Sequence, residues 1–274
     1  MKQSMIKHKE KKKINTFLLW GIILTGIMLL VVIVGIFWTP YDPTKMDASQ
    51  KLQGISFRHI LGTDNKGRDI FSRVMYGSRI TLAIAGGTMV IGAGIGTMLG
   101  AITGYFGGFL DEVFMRVVDA MLAFPSILLA LVIVSLFDSG NVVVMVALGI
   151  AFIPSFARIV RSEVLRCRNM DYVENARIQG ASDFRIIFRH IMPNIRGVLW
   201  SSVLIGFNNA VLAEAGLSYL GIGSQPPYDS LGNMLSSAQQ FMLKNPICVL
   251  GPGFAIVWMV LGFSFLGEGL RKKA

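Results

Sequence analysis

Long apolar stretches separated by short charged segments dominate this chain. Five stretches without a charged residue are strongly apolar, at 14–41, 80–110, 120–137, 139–157 and 245–267. A sixth begins at 197 and continues past Glu214. A membrane-spanning helix needs about 20 apolar residues. The pattern therefore predicts six spans, near residues 15–38, 79–105, 117–137, 142–160, 197–221 and 247–269.

The same pattern divides the chain into an N-terminal addition and a larger core. A basic tail, 1–14, precedes the first span, 15–38, which is too long for a signal peptide and is followed by no small-residue cleavage site. We therefore expect a permanent membrane anchor. An extracytoplasmic segment, 39–78, and a core of five spans, 79–270, follow it. The predicted fold class is an all-α membrane protein with six transmembrane helices.

Residues 222–246, between the last two spans, carry a helical pattern of their own. After Pro226 and Pro227, apolar residues recur at helical spacing from Leu231 to Met242. This predicts an extracytoplasmic interfacial helix. Two roles stay open for it: a helix resting on the bilayer surface, or part of an outer gate or receptor dock.

The charge distribution predicts orientation. Only 15% of the residues are charged, against about 25% in soluble domains. The net charge of +10 lies at the ends of spans, which favours contact with anionic lipids and not with nucleic acid. With both termini cytosolic, the cytosolic segments hold 18 Lys and Arg and the extracytoplasmic ones hold 8. The excess places the 161–196 loop in the cytosol.

Within that loop, residues 171–193 form a polar island that we call the knuckle. It contains two N-caps, the acidic partner of a capping box, a left-handed C-terminal residue and a helix stop, at Asp171, Ser182, Glu174, Gly180 and Pro193. The second predicted helix presents one apolar face, made of Phe184, Ile187, Phe188 and Ile191. The spacing leaves two interpretations open: a dock for a soluble partner, or a loop packed on its own protein.

The knuckle resembles the EAA loop of bacterial ABC importer permeases, which docks on the ATPase. The matching residues are Glu174-Asn175-Ala176, Gly180 and Ile191-Met192-Pro193, with Asn175 and Met192 departing from the usual Ala and Leu. Further similar motifs are Leu61-Gly62-Thr63-Asp64, Gly104-Tyr105-Phe106-Gly107-Gly108, Ala123-Phe124-Pro125 and Ala213-Glu214-Ala215-Gly216. The chain is most similar to the second, C-type permease of the dipeptide, oligopeptide and nickel group.

The resemblance implies a type I importer permease core, half of a pathway across the bacterial inner membrane, with one added N-terminal helix. It implies three kinds of partner besides lipid: a second homologous permease, two cytosolic ATPases and an extracytoplasmic substrate-binding protein. ATP and Mg are then used by the ATPases, and this chain is neither an enzyme nor a cofactor binder. The cargo is expected to be di- or oligopeptides, with nickel or a metal chelate as the alternative.

The resemblance also assigns residues to the ATPase dock. Glu174 and Gly180 are expected to shape it, Ala176 to permit close approach, and the two phenylalanines to bury against partner or core. The full expected set is Glu174, Asn175, Ala176, Gly180, Ala181, Asp183, Phe184, Arg185 and Phe188.

Polar and small residues inside the spans suggest two further roles. Glu214, with Asn208 and Asn209 on the same helix, either lines the translocation pathway or its gate, or is held by polar groups of another helix. A ridge of small residues at four-residue spacing predicts close helix packing. It consists of Gly92, Gly96, Gly100 and Gly104.

Other chemistry is disfavoured by what the sequence lacks. The Gly62–Asp69 segment mimics a phosphate-binding loop, but Arg68-Asp69 replaces the Lys-Ser/Thr pair. The three histidines lie apart in sequence, so no metal site is predicted. A stand-alone secondary transporter, the alternative of another class, would show repeated halves and several intramembrane ionisable residues. Arg116 and Asp119 are expected to pair along one helix.

Overall fold

The computed structural model describes residues 16–137, 140–225 and 229–271, and these ranges contain helices and turns but no strand. The predicted tail, and Pro226 and Pro227, lie outside them. The α-helices are α1 (Thr16–Phe37), α2 (Ile70–Phe106), α3 (Gly108–Leu122), α4 (Ser126–Ser135), α5 (Asn141–Arg168), α6 (Asp171–Ile178), α7 (Asp183–Arg185), α8 (Met192–Tyr219), α9 (Leu231–Ala238) and α10 (Ile247–Arg271).

The predicted all-α membrane fold is confirmed. Five helices in the described ranges are long and apolar enough to cross a membrane, and α3 with α4 supplies a sixth candidate as a bent pair. That pair bends by 88°, so a continuous span over 117–137 is wrong. Pro125 explains the break, because proline lacks an N–H and disfavours helical backbone in the residue before it.

Two spans begin earlier than the apolar pattern predicted. α2 starts at Ile70 instead of near 79, capped by Asp69, whose carboxylate accepts a hydrogen bond from the Ser72 N–H at 2.8 Å. The helix that ends at Tyr219 is continuous from Asp183. A count of uncharged residues stops at each arginine, whereas a helix continues through an arginine that is paired, as Arg73 is with Asp64, or exposed, as Arg189 is.

The long helices pack through small residues. α2 lies against α5, and α1 lies along α10. A Cβ built on Gly262 of α10 would lie 2.8 Å from the Thr25 hydroxyl of α1, so this crossing depends on the glycine. The Trp258 indole N–H of α10 donates to the carbonyl oxygen of Leu24 at 3.0 Å.

The predicted interfacial helix is packed inside the chain. α9 contacts α8, α10 and α2, and Leu231, Met234 and Ala238 are buried. The Leu231 N–H donates to the Thr81 hydroxyl of α2 at 3.3 Å. A helix lying on the bilayer surface would leave one face to water and one to lipid, so α9 is part of the packed helices and not a resting helix, and a role in an outer gate or receptor dock stays a prediction.

Candidate functional site

The first half of the knuckle is α6, and Gly180 ends it. Met170, not Asp171, occupies the N-cap position and no side chain caps the helix. The predicted capping box with Glu174 is therefore wrong, because Asp171 already belongs to the first helical turn. Gly180 has a φ of 79°, as predicted for a left-handed residue. Its N–H donates to the carbonyl oxygen of Arg177 at 3.0 Å.

The second half of the knuckle continues directly into α8. Ser182 caps α7 as predicted, but Pro193 does not stop the helix. The chain passes through a π-helical turn, Ile186–Ile191, and the Met192 N–H donates to the carbonyl oxygen of Ile187. Proline has no backbone N–H to donate, and Pro193 follows the π-helical turn, where the regular helical hydrogen-bond pattern is already interrupted. The knuckle and α8 therefore form one mechanical unit.

The underside of the knuckle is fixed by a hydrophobic cluster of its own. Its buried members come from α2, α5, α6, the π-helical turn and the start of α8: Ala101, Tyr105, Val160, Val164, Cys167, Val173, Ala176, Ile186, Ile187, Ile191 and Ile195. The predicted shared apolar face is wrong, since Ile187 and Ile191 are buried while Phe184 and Phe188 are exposed. The wider π-helical turn rotates the two pairs apart.

A small apolar patch faces away from the molecule. Phe184 is 72% exposed, Phe188 is 52% exposed, and their ring centroids are 4.4 Å apart. Ile178, 78% exposed, adds to the apolar surface of the knuckle. Exposed apolar side chains gathered on one element mark an interaction surface.

The expected docking residues divide into exposed and buried groups. The exposed ones are Glu174, Asn175, Gly180, Asp183, Phe184, Arg185 and Phe188, and Ala181 is half-buried. Ala176 is only 8% exposed and belongs to the underside cluster. The predicted close approach at Ala176 is therefore one of α6 to its own core, which the small side chain allows.

Polar contacts tie the knuckle to the end of α2. The Tyr105 hydroxyl donates to the Asp183 carboxylate at 2.6 Å, and Arg168 donates to the Tyr105 carbonyl oxygen at 3.0 Å. The Arg177 guanidinium lies 6.0 Å from the Tyr105 ring centroid, and hydrogen bonding to Tyr105 raises the pKa of Arg177. Tyr105 thus joins both halves of the knuckle to a membrane-spanning helix.

The glycine ridge of α2 lies against α5. A Cβ on Gly96 would lie 2.6 Å from the Phe156 Cβ, and one on Gly104 would lie 2.9 Å from the Arg161 carbonyl oxygen. Gly92 and Gly100 meet α5 in the same way. Real Cβ atoms do not approach that closely, so the distance between α2 and α5 depends on all four positions.

Glu214 lies inside the chain and not on a pathway surface. It is 0% exposed, and its carboxylate accepts hydrogen bonds from Thr81 of α2 at 3.0 Å and from Ser218 at 2.7 Å. The structure therefore favours the second interpretation, in which another helix holds this carboxylate. Asn208 is similar, since its amide donates to the Ser264 hydroxyl of α10 at 2.8 Å.

Asn209 differs from both, because it is exposed along α8. It lines two cavities, one of about 130 Å³ between α5 and α8 and one of about 290 Å³ between α8 and α10. An amide exposed in the middle of a span is costly against lipid. The face of α8 that carries Asn209 is therefore the best candidate for a pathway or a protein interface.

Sequence reasoning missed a group of buried ion pairs, which we call the ion-pair cluster: Asp64, Arg68, Arg73 and Asp229. Asp64 accepts from Arg68 at 2.7 Å and from Arg73 at 2.6 Å. Asp229 accepts from the same arginines at 3.3 and 2.5 Å. Each residue is at most 8% exposed. The available signal was the alternation of acids and arginines over 64–73.

The neighbouring charges are satisfied as well. His59 pairs with Asp69 at 2.9 Å. The predicted pair of Arg116 and Asp119 is wrong, because Arg116 bonds Glu112 at 2.7 Å and Asp119 bonds Arg158 of α5. Among the described residues, no group of three His, Cys, Asp or Glu side chains could hold a metal ion.

Comparison with known proteins gives consistent matches. A family model described as "Binding-protein-dependent transport system inner membrane component" matches residues 96–273. The dipeptide transport system permease protein DppC of Alkalihalophilus pseudofirmus is 41% identical over 96% of this chain and 86% of its own length. The glutathione transport system permease protein GsiD of Pectobacterium atrosepticum is 42% identical over 90% of this chain and 83% of its own length.

A solved structure shares the fold. A chain from the inward-facing MetNI methionine ABC transporter superposes with a TM-score of 0.59 at 18% identity. The superposition covers 74% of this chain and 95% of that one.

Proposed function

The chain belongs to the family of binding-protein-dependent transport system inner membrane components, and on that premise we propose that it is the permease subunit of an ATP-driven peptide importer. The observation that carries the proposal is the Phe184–Phe188 pair, which is exposed on a knuckle whose underside is buried and hydrogen-bonded. A rigid support under an apolar patch transmits force from whatever binds the patch.

The mechanism follows from the continuity of the knuckle with α8. A cytosolic ATPase binds the patch, and closure of an ATPase dimer on ATP and Mg displaces the knuckle. Because the π-helical turn inside the knuckle joins α7 to α8 without a break, α8 moves with the knuckle. The Asn209 face of α8 then changes its position relative to the pathway.

A second, homologous permease completes that pathway. Asn209 and the two cavities beside it lie on the surface of this chain. An amide at this depth needs protein or water as its neighbour. A partner permease facing α8 supplies both, and the pair forms a channel that neither forms alone.

We propose that the knuckle and both termini are cytosolic. The basis is the excess of Lys and Arg on that side of the predicted spans. The ion-pair cluster then lies at the extracytoplasmic end of α2, where a substrate-binding protein delivers cargo. Peptides are favoured over nickel as cargo because the similar permeases carry dipeptide and glutathione names.

The test removes the patch without disturbing its support. The double variant Phe184→Ala, Phe188→Ala is purified from membranes that also contain the partner subunits, and the co-purifying ATPase is quantified. We expect loss of most of the ATPase and of peptide uptake, with an unchanged yield of folded permease. The matched control is Phe57→Ala, which removes a fully exposed phenylalanine at the other end of the molecule. Wild-type ATPase recovery from the double variant would refute the docking role.

A further inference from the structure

An apolar cavity of about 800 Å³ lies between the segment before α2, α2 itself, α9 and the first half of α10. No charged residue lines it. Its principal lining side chains are Ile60, Phe71, Val74, Leu235, Leu250 and Phe254. A volume of this size enclosed only by apolar groups has little affinity for water.

The cavity is reached from the side of a membrane-spanning helix. On α10, Leu250, Phe254 and Val257 line the cavity and are 59%, 62% and 54% exposed. They recur at three- and four-residue spacing on one face of the helix. That face lies at the end of α10 next to the ion-pair cluster, where Cys248 lines a small pocket with Asp64 and Arg73. Its exposed apolar side chains suit the hydrocarbon of a bilayer leaflet.

Basic residues flank two lining segments of the cavity in the chain, and we call these flanking segments, 58–60 and 244–247, the rim. Arg58 precedes the lining residue Ile60 by two positions, and Lys244 precedes the lining residue Ile247 by three. Both cations are exposed, and neither forms an ion pair with another described residue. Asn245, next to Lys244, is linked to the chain leading to Arg58, since its amide donates to the carbonyl oxygen of Gln53 at 3.2 Å, five residues before Arg58.

Two acidic groups in the adjoining segment already have buried partners. Asp69 is buried against His59, and Asp64 is buried between Arg68 and Arg73. The rim therefore presents two unpaired positive charges beside an apolar cavity. This combination matches a molecule with a hydrocarbon chain and an anionic headgroup.

We propose that the cavity is a binding site for an anionic phospholipid of the leaflet next to the ion-pair cluster. One acyl chain lies in the cavity, and the phosphate contacts Arg58 and Lys244. Because Leu235 of α9 lines the cavity, the bound lipid supports α9 against α8 and α10.

The test fills the cavity. A Cβ on Gly253 would meet only the Leu235 Cδ2, at 3.9 Å, so Gly253→Phe places a ring in the cavity. The control is Gly26→Phe on α1, where a Cβ meets nothing within 4 Å. The full chain is reconstituted in phosphatidylethanolamine vesicles containing photoactivatable phosphatidylglycerol, and labelled peptides are mapped by mass spectrometry.

We expect labelling of residues 60–74 and 247–257 in the wild-type chain, and its loss in Gly253→Phe but not in Gly26→Phe. Equal labelling in both variants, or labels confined to other segments, would overturn the proposal. So would crosslinking of Phe254 to another protein in native membranes, which would make the cavity a subunit interface. If Gly253→Phe fails to fold, Gly253→Leu replaces it.

The headgroup is tested separately. Arg58→Gln and Lys244→Gln should each lower labelling by phosphatidylglycerol about fivefold while leaving labelling by phosphatidylcholine unchanged. Lys45→Gln is the control, because hydrogen-bonded Asp42 and Asp47 lie beside that exposed cation in the chain. Equal loss with both lipids would remove the anionic headgroup from the proposal.

Discussion

The two ends of α2 differ in what surrounds their charged and apolar side chains. Over its 37 residues, about 55 Å of helix, α2 joins the ion-pair cluster at Arg73 to the knuckle at Tyr105. At the first end, four charges are buried and paired with each other. At the second, charges are exposed and a pair of phenylalanines has no cover. The first end is completed within the chain, whereas the second, on the function we propose, is completed by another protein.

The difference teaches where rigidity is placed in this molecule. Buried ion pairs are costly unless their geometry is satisfied on all sides, and removing one partner is strongly destabilising. The ion-pair cluster therefore fixes Asp229, just before α9, against the start of α2. The knuckle is held in place by apolar burial on its underside, which leaves its upper surface exposed.

The largest effect is expected from a substitution that disrupts the ion-pair cluster at the first end of α2. Asp64→Ala leaves Arg68 and Arg73 with one carboxylate between them in a buried site. We expect a loss of about 3–5 kcal/mol in the free energy of unfolding in mixed micelles. Glu112→Ala, which breaks an exposed pair with Arg116, is the control and should change little. Similar losses for the two variants would remove the contrast between the ends.

A second variant tests whether Glu214 stabilises the fold in the same way as the ion-pair cluster, through buried polar contacts within the chain. Glu214→Ala leaves the Thr81 and Ser218 hydroxyls without their acceptor, so we expect a loss of about 1–3 kcal/mol in the same assay. Glu214→Gln keeps an acceptor and should retain most of the stability and transport. A transport defect in Glu214→Gln at full stability would instead assign Glu214 to the pathway.

The connection between the ends depends on the glycine ridge. Gly96→Ala places a methyl group 2.6 Å from the Phe156 Cβ, so α2 and α5 must separate, and we expect about 1–3 kcal/mol of destabilisation. Gly94→Ala meets nothing within 4 Å and should stabilise the helix slightly. If both substitutions change the free energy of unfolding in the same direction, the crossing of α2 and α5 does not depend on close packing at Gly96.

The smallest expected effect is at the knuckle. Tyr105→Phe removes the hydrogen bond to Asp183. We expect the free energy of unfolding to fall by about 0.5–1.5 kcal/mol, because the underside cluster remains. The sharper measurement is the ratio of peptide transported to ATP hydrolysed, which should fall as the knuckle loosens. An unchanged ratio would show that apolar packing alone fixes the knuckle.

Much of the fold was predictable because its causes are local. Apolar length located five continuous spans, and the positive φ of Gly180 followed from its place between two helices, whereas the break at Pro125 interrupts a stretch that is apolar throughout. The exact starts of α2 and α8 were not predictable from the sequence, because charged residues interrupt an apolar count but do not interrupt a helix. The π-helical turn was also missed, and with it the separation of Phe184 from Ile187.

The site divides in the same way. Glu214 and the glycine ridge were identified from residue type and spacing, but their surroundings were not. Thr81, which bonds Glu214, lies 133 residues away. Asp229 lies 156 residues from Arg73. No local pattern reports such pairings.

The sequence by itself determined that the chain crosses a membrane, where its helices lie and which segment forms the knuckle, because hydrophobicity and backbone preference act over a few residues. Only the tertiary structure decided which charges are buried together, that Glu214 faces other helices and that two phenylalanines remain uncovered. Burial is a property of the assembled helices, since the same side chain is exposed or enclosed according to what packs against it.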